Sequence, residues 1–256
     1  MKLIILIPAF NCSILIKKVI DPILKLNLDI KIIILNDGST DDTVAVIKKI
    51  KSRKIKLYHN KKNYGYGYSS HKLYKLAKKL NAEAYISMHS DLGHRPNDLL
   101  KFIKFLKEKK DWDIVLGSRL LFLKNIINSK NFFNIFNKNY RGNMPLIILL
   151  GHLIITTFQN IILQNKLNSY HDGMRMIKKE TLNWILGLKL PAWYDYDMVL
   201  LTIANKYKKK IFEIPIKPFY HKNIKSSVPL INYALIMLFN TIRMSLRFFE
   251  KIKNQS

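Results

Sequence analysis

The sequence predicts an α/β domain, a sheet covered by helices on both faces, with an amphipathic helix at its C-terminal end. Three observations carry this reading. Between Lys2 and Leu116, apolar and β-branched runs of strand length alternate with segments whose apolar residues recur every three or four positions. Two of those runs empty into turns that hold carboxylates, and in an open parallel sheet ligands bind beyond the carboxyl ends of the strands. The 256 residues suffice for one such domain with a full core, and are too few for two ordinary domains and a linker.

Lys2 to Ile7 is the first strand, stopping at Pro8-Ala9-Phe10-Asn11, and a helix with Ile16, Ile20, Ile23 and Leu24 inward follows. Ile30 to Leu35 is a second, β-branched strand that ends at Asn36-Asp37-Gly38-Ser39-Thr40-Asp41-Asp42-Thr43. There Gly38 permits a tight turn, Ser39 or Thr40 can cap the next helix, and Asp41 and Asp42 suit its positive N-terminal end. Asp37 has no such local duty. A carboxylate just past a strand tip can accept hydrogen bonds from the N–H of a nucleobase or from ribose hydroxyls.

Val44, Ile47 and Ile50 mark the second helix, and Lys54 to Tyr58 makes a short strand. Asn63-Tyr64-Gly65-Tyr66-Gly67 opens a helix carrying Leu73, Leu76, Ala77 and Leu80 on one face. Gly65 and Gly67 can cradle a phosphate at that helix N-terminus, although the third glycine of a dinucleotide fingerprint is missing. Tyr64, Tyr66 and Tyr68 can stack on a base or cover the sheet edge. Ala84 to Met88 then runs into His89-Ser90-Asp91, placed to meet a metal ion or a phosphate. The alternative for Asp91 is to cap the helix beginning near Asn97 or to close a turn. Leu99, Phe102, Ile103 and Leu106 mark that helix, and Trp112 to Leu116 the next strand.

From Gly117-Ser118-Arg119 onward the alternation fails, as expected where a nucleotide-binding half gives way to an acceptor half. Asn125 to Asn143 reads as a polar, flexible loop. Tyr170-His171-Asp172-Gly173-Met174-Arg175-Met176-Ile177 reads as a buried strand carrying charge. Arg119 and Arg175 each offer a planar fork to phosphate oxygens, the alternative being a surface salt bridge. In Pro191-Ala192-Trp193-Tyr194-Asp195-Tyr196-Asp197-Met198, Asp197 is the candidate general base, and helix capping is its other reading. Ile211 to Ile216 is a last strand, and Tyr220-His221-Lys222 with Lys225-Ser226-Ser227 makes a basic loop.

Forty-four Lys and Arg against 17 Asp and Glu give a net charge of +27, which implies an anionic partner: membrane lipid, nucleic acid or a phosphorylated substrate. A general drift toward Lys, Ile and Asn accounts for part of that charge. The lone Cys12 excludes an internal disulfide and fits a reducing compartment. Met1 to Ile7 is too short for a signal peptide, so the expectation is a cytoplasmic protein. Met144 to Leu163 and Val228 to Phe249 approach the hydropathy of a membrane span. His152, Gln159 and Asn160 in the first, and Asn232, Asn240, Arg243 and Arg247 in the second, are costly in hydrocarbon. Each is therefore read as a surface-lying membrane helix or a core helix.

Together these motifs resemble glycosyltransferase family 2, the inverting nucleotide-sugar enzymes with a GT-A fold, including polyprenyl-phosphate sugar transferases. The resemblance runs from Ile4 to about Ser227. Ile7-Pro8-Ala9-Phe10-Asn11 is similar to the family's opening strand and turn, and Asn36 to Thr43 to its Asp-Asp-Gly-Ser-x-Asp-x-Thr signature, with Asn36 in the first acidic place. His89-Ser90-Asp91 stands where the family keeps Asp-x-Asp. Gly117-Ser118-Arg119, Gly173-Met174-Arg175, Tyr194-Asp195-Tyr196-Asp197 and Glu213-Ile214-Pro215-Ile216 follow in family order.

The resemblance implies a Rossmann-like mixed sheet flanked by helices over residues 1–227, divided into a donor half (1–119) and an acceptor half (120–227), with 228–256 a C-terminal helix at the membrane. It implies donor binding by Pro8, Ala9, Phe10, Asn11, Asn36, Asp37, Gly38, Asn63, Gly65, Gly67, Ser90, Asp91 and Arg119. Asp91 and His89 would hold Mg²⁺ or Mn²⁺, and Asp197, Arg175 and Arg119 would act in catalysis. The donor expected is a UDP- or GDP-linked hexose and the acceptor a polyprenyl phosphate or cell-surface glycan, at the inner face of the cytoplasmic membrane. Three rivals stand beside this. A nucleotidyltransferase would carry a glycine-rich basic loop after its first strand, where Pro8-Ala9-Phe10-Asn11 stands instead. A nucleic-acid-binding protein is suggested by the charge, but no basic-aromatic motif of the RNA modules appears. A non-catalytic family member is suggested by Asn36 and His89 in acidic places.

Overall fold

A computed structural model describes residues 2–26, 28–128, 132–220 and 230–253. Its strands are β1 (Leu3–Ala9), β2 (Ile30–Asn36), β3 (Ile55–His59), β4 (Ala84–Ser87), β5 (Ile114–Ser118), β6 (Arg175–Lys178) and β7 (Ile211–Pro215). They form a single sheet in the order β3-β2-β1-β4-β6-β5-β7. Each pairing is parallel except those of β6, which lies antiparallel between β4 and β5. The result is a mixed sheet, as expected.

Both faces of the sheet are covered, and this explains the unbroken apolar runs. Along β1, Leu3, Ile5 and Ile7 point into one cluster with α1 (Ile16–Leu24), α2 (Thr43–Lys49) and α4 (Leu99–Glu108). The intervening Ile4 and Leu6 point into a second cluster, with α3 (Tyr66–Lys78), α7 (Lys179–Leu186) and α8 (Tyr196–Lys206). This is the period-two alternation of a strand with apolar layers above and below. β6 is compatible with a central position for the same reason: Met176 and Ile177 are fully buried on opposite faces.

Several sequence expectations need correction. The inner side of α2 is Thr43, Val46, Ile47 and Ile50 rather than Val44. Asn125 to Asn143 is not all loop: α5 (Arg119–Ile127) takes its first residues and Phe132–Phe136 forms a 3-10 turn. The apolar residues hidden in that polar stretch explain this, since Ile126, Ile127 and Ile135 pack with Leu120, Leu123 and Met144. The strand expected from Tyr170 is regular only from Arg175. The basic loop from His221 to Ser227 lies outside the described residues.

The two long apolar segments are α6 (Leu146–Leu163) and α9 (Leu230–Lys253), and they pack on each other. α9 is no detached appendage: Met237 and Thr241 are buried, and Thr241 donates to Met198 Sδ on α8. The core of the sheet should respond to truncation. Ile5→Ala, at a fully enclosed site in β1, is expected to cost about 2–5 kcal/mol in urea unfolding, because the packed layers on both faces cannot collapse into the cavity.

Candidate active site

Beyond the carboxyl ends of β1, β2 and β4 lies a cavity of about 700 Å³. One wall comes from Pro8 and Ala9 at the end of β1, from Phe10, Asn11 and Cys12 after it, and from Asp37 after β2. Asn63, Gly65, Tyr66 and Ser69 approach from the start of α3, and His89, Ser90 and Asp91 from the end of β4. The later part of the chain adds His171, Trp193, Tyr194 and Asp197, and α9 adds Tyr233. A second groove, of about 710 Å³ between α4, α5 and β7, holds Lys101, Lys104 and Glu108 but no residue from these strand ends.

The two turns of the first half lock each other. Asn11, at φ 45°, accepts from the Thr40 amide at 2.9 Å and donates its own amide to Ser39 Oγ at 3.0 Å. Asp41, rather than Ser39 or Thr40, serves the start of α2, accepting from the Thr43 amide at 3.0 Å and from the Ser13 amide at 3.1 Å. Asn36 is buried, and its Oδ1 accepts from the Ser39 amide at 3.2 Å. It is a turn anchor and does not line the cavity, and neither does Gly38, whose φ of 71° and tight packing on the Lys62 backbone admit no β-carbon. Asp37 is buried at the cavity wall. It accepts from Asn60 Nδ2 at 2.6 Å and from the amides of Tyr64 and Gly65 at 3.1 and 3.0 Å, so the loop after β3 is hung on this carboxylate.

The Gly65-x-Gly67 loop does not present an open helix N-terminus. The Tyr68 amide donates to the Ala192 carbonyl at 2.9 Å, and a β-carbon at Gly67 would overlap the Pro191 carbonyl. The helix dipole is met by a backbone carbonyl of the 191–193 segment, and Gly67 exists for that close approach. Tyr64 and Tyr68 stack at 4.7 Å.

At the end of β4, Asp91 does not cap the following helix; its Oδ1 closes a turn by accepting from the Gly93 amide at 2.9 Å. His89 packs edge-on against Tyr66 and against His94, 4.9 Å away, and its Nε2 is buried without a partner. That nitrogen faces Gly173, where any β-carbon would overlap the imidazole. His94 is fully enclosed with both nitrogens unpartnered, and burial holds its pKa well below the ordinary histidine value. Among the described residues no three His, Cys, Asp or Glu side chains converge as a metal cage. The donor set fits a hard divalent ion that takes one or two protein ligands and completes its shell with diphosphate oxygens: Asp91 offers a carboxylate oxygen at the cavity wall and His89 stands beside it.

Neither arginine is a free fork. Arg119 donates from Nε and its amide to Asp172, the latter at 3.0 Å, and is not among the residues that line the cavity. Burial pushes the Asp172 carboxyl up, but the Arg119 charge outweighs it and holds the pKa at about 2. Arg175 is fully buried; its Nη2 donates to Asp197 and, at 2.7 Å, to the Tyr66 hydroxyl. Tyr66 in turn reaches Asp197 Oδ2 at 3.2 Å. The alternative reading of both arginines as surface salt bridges is corrected in one respect: the pairs exist, but they are interior. Helix capping by Asp197 is absent, because α8 has Asp195 at its N-cap and Asp197 within its first turn.

His171, quoted in the sequence without a role, is the hinge between the cavity and the long helices. Its ring nitrogens meet Gln159 Oε1 of α6 at 2.9 Å and the Tyr233 hydroxyl of α9 at 3.0 Å. Since the amide oxygen can only accept, Nε2 carries the proton and Nδ1 accepts from Tyr233. Burial, reinforced by His152, drives the His171 pKa down to about 3, and burial beside Arg119 takes His152 to about 4. His94, Asp172 and Tyr233 are likewise residues to which the sequence assigns no role, and Tyr66 reads there only as a ring to stack on a base or cover the sheet edge.

The model of Glycosyl transferase family 2 matches residues 4–185. The UDP-N-acetylglucosamine–dolichyl-phosphate N-acetylglucosaminyltransferase of Methanococcus voltae is 29% identical over 232 residues, covering 84% of this chain and 85% of that protein. Glucosyl-3-phosphoglycerate synthase from Mycobacterium tuberculosis, solved with Mn²⁺, UDP and glucosyl-3-phosphoglycerate, superposes with a TM-score of 0.64 at 16% identity, over 95% of this chain and 79% of that one. The mannosyltransferase PcManGT from Pyrobaculum calidifontis, solved with GDP-Man and Mn²⁺, gives 0.52 at 14% identity over 83% and 54%. These likenesses establish the GT-A fold.

Two outcomes follow from the buried charges. The folded state holds His171 and His152 neutral, whereas the unfolded chain protonates them below about 6.5. Their contribution to stability is complete above that pH and is lost as pH falls toward 4 and 3. The melting temperature should therefore drop on acidification from neutrality, and His171→Gln should reduce the drop in a dye-monitored melt across pH. Asp197→Asn leaves the buried Arg175 charge uncompensated and should destabilise the fold by about 3–5 kcal/mol in denaturant titration.

Proposed function

The chain belongs to glycosyl transferase family 2, and on that premise we propose that it moves a hexose from a UDP- or GDP-linked donor to a lipid-borne phosphate or cell-surface glycan at the inner face of the cytoplasmic membrane. The observation that carries this reading is the gathering of Asp37, Asp91 and Asp197, distant in sequence, on the wall of one cavity at the strand ends.

In this reading Asp37 and the Pro8–Asn11 turn receive the nucleoside, and the Phe10 ring borders it. Asp91, with His89 beside it, holds the donor diphosphate through Mg²⁺ or Mn²⁺. Such an ion supplies Lewis-acid stabilisation of the charge that develops on the leaving diphosphate. Arg119, fixed by Asp172, adds a positive field behind the diphosphate rather than a direct fork. Asp197 faces the acceptor. Its carboxylate is already divided between Arg175 and Tyr66, which suits orientation better than proton abstraction. An acceptor phosphate, anionic before it arrives, needs only orientation. The dolichyl phosphate in the name of the Methanococcus voltae relative supports the same class of acceptor. Asn36 speaks against a non-catalytic protein, because its turn-anchoring bond is one that an aspartate or an asparagine makes equally well.

The test supplies purified protein with a panel of nucleotide sugars, Mg²⁺ or Mn²⁺ and membrane lipid extract, and follows nucleotide release. Asp91→Ala is expected to lower release by about 100-fold or more, the scale of a lost charge-stabilising group. Release at the parent rate would place the diphosphate elsewhere. Salt-sensitive nucleic-acid binding with no sugar transfer would favour the binding-protein rival.

A further inference from the structure

α6 and α9 carry apolar residues on two sides. On their inner sides, Leu149 and Gln159 of α6 and Met237 and Thr241 of α9 are buried against the domain and each other. On their outer sides, Ile147, Ile154 and Ile161 of α6 and Leu235, Phe239 and Leu246 of α9 are each between 59% and 70% exposed. Those of α6 recur every seven residues and those of α9 at four and then seven, so each helix has an apolar stripe turned away from the domain. A core helix of such composition would be mostly enclosed, yet only 22% of α6 is buried.

We propose that the outer stripes of α6 and α9 form a docking surface for an anionic lipid bilayer, with both helices lying in its interface. Three observations favour this occupant. The first is charge: α6 carries no charged residue, α9 carries Arg243, Arg247, Lys251 and Lys253 against Glu250, and the whole chain is +27. That charge attracts anionic headgroups and opposes pairing with a second, equally basic copy. The second is attachment. α6 is tied to the domain near its start through Leu149 and near its end through Gln159–His171 and the Asn160–Leu167 bond of 2.8 Å. A helix crossing the bilayer would carry its ends to opposite sides, about 27 Å apart, so this one lies flat. The third is continuity: Tyr233, on the inner side of α9, lines the cavity, and His171 joins both helices to it. Docking in this pose sets the cavity beside the headgroups, and so rests for its purpose on the lipid-borne acceptor proposed above.

The experiment floats the full chain with phosphatidylcholine vesicles, with and without phosphatidylglycerol, and compares the parent with Ile154→Asp/Phe239→Asp. The parent should float, more strongly with phosphatidylglycerol, and the variant should float at least about tenfold less while keeping the parent's melting temperature and monomeric size. A variant that floats like the parent overturns the proposal. So does a parent that ignores vesicles, or one that dimerises through this face in light scattering. Nucleotide release in detergent reads the transferase proposal separately, since its absence from the parent overturns that reading and leaves the flotation result standing.

Discussion

A guanidinium buried in the middle of a β-sheet has to be neutralised where it lies, and Arg175 sets that condition for this molecule. It opens β6, the antiparallel strand wedged between two strands that would otherwise be neighbours in a parallel sheet. The carboxylate that balances it belongs to α8 and the hydroxyl that shares the bond belongs to α3. Leaving such a charge unpaired in a low-dielectric interior costs several kcal/mol. The starts of β6, α3 and α8 are therefore held together, next to the end of β4, and Gly173 lets the His89 ring close against them.

The cavity inherits its walls from this arrangement. Because α8 must bring Asp197 to Arg175, the preceding 191–193 segment is laid across the start of α3, where the Ala192 carbonyl occupies the site that a phosphate takes in a glycine-loop protein. The opposite wall of the cavity is then left to the β1 and β2 turns and to the tip of β4. A second interior pair, Arg119 with Asp172, holds the beginning of α5 against the loop ahead of β6. Positive charge near the cavity is thus fixed in place rather than carried on mobile surface lysines, and fixed charge requires no reorganisation when a charged ligand enters.

Much of the domain was legible in the sequence because its signals are local. Ile30 to Leu35 is a strand by composition, the turn after it by Gly38 and its hydrogen-bonding neighbours, and the first helices by their apolar spacing. Errors arose where local and distant preferences diverge. Asn125 to Asn143 reads as polar, but a few isoleucines inside it find partners on α5 and α6. Tyr66 reads as a possible stacking ring; its hydroxyl is committed to groups more than a hundred residues away.

The sequence by itself determined the α/β class, the order of the elements, the family and the strand-end acids, since apolar period, turn chemistry and motif order are properties of consecutive residues. Only the tertiary structure decided which acid neutralises which arginine, that β6 enters the sheet backwards, that the glycine loop is closed, and that α9 reaches the cavity through Tyr233. Each of these depends on pairing between residues far apart in the chain, where burial makes one partner obligatory but leaves its identity to the packing of the whole.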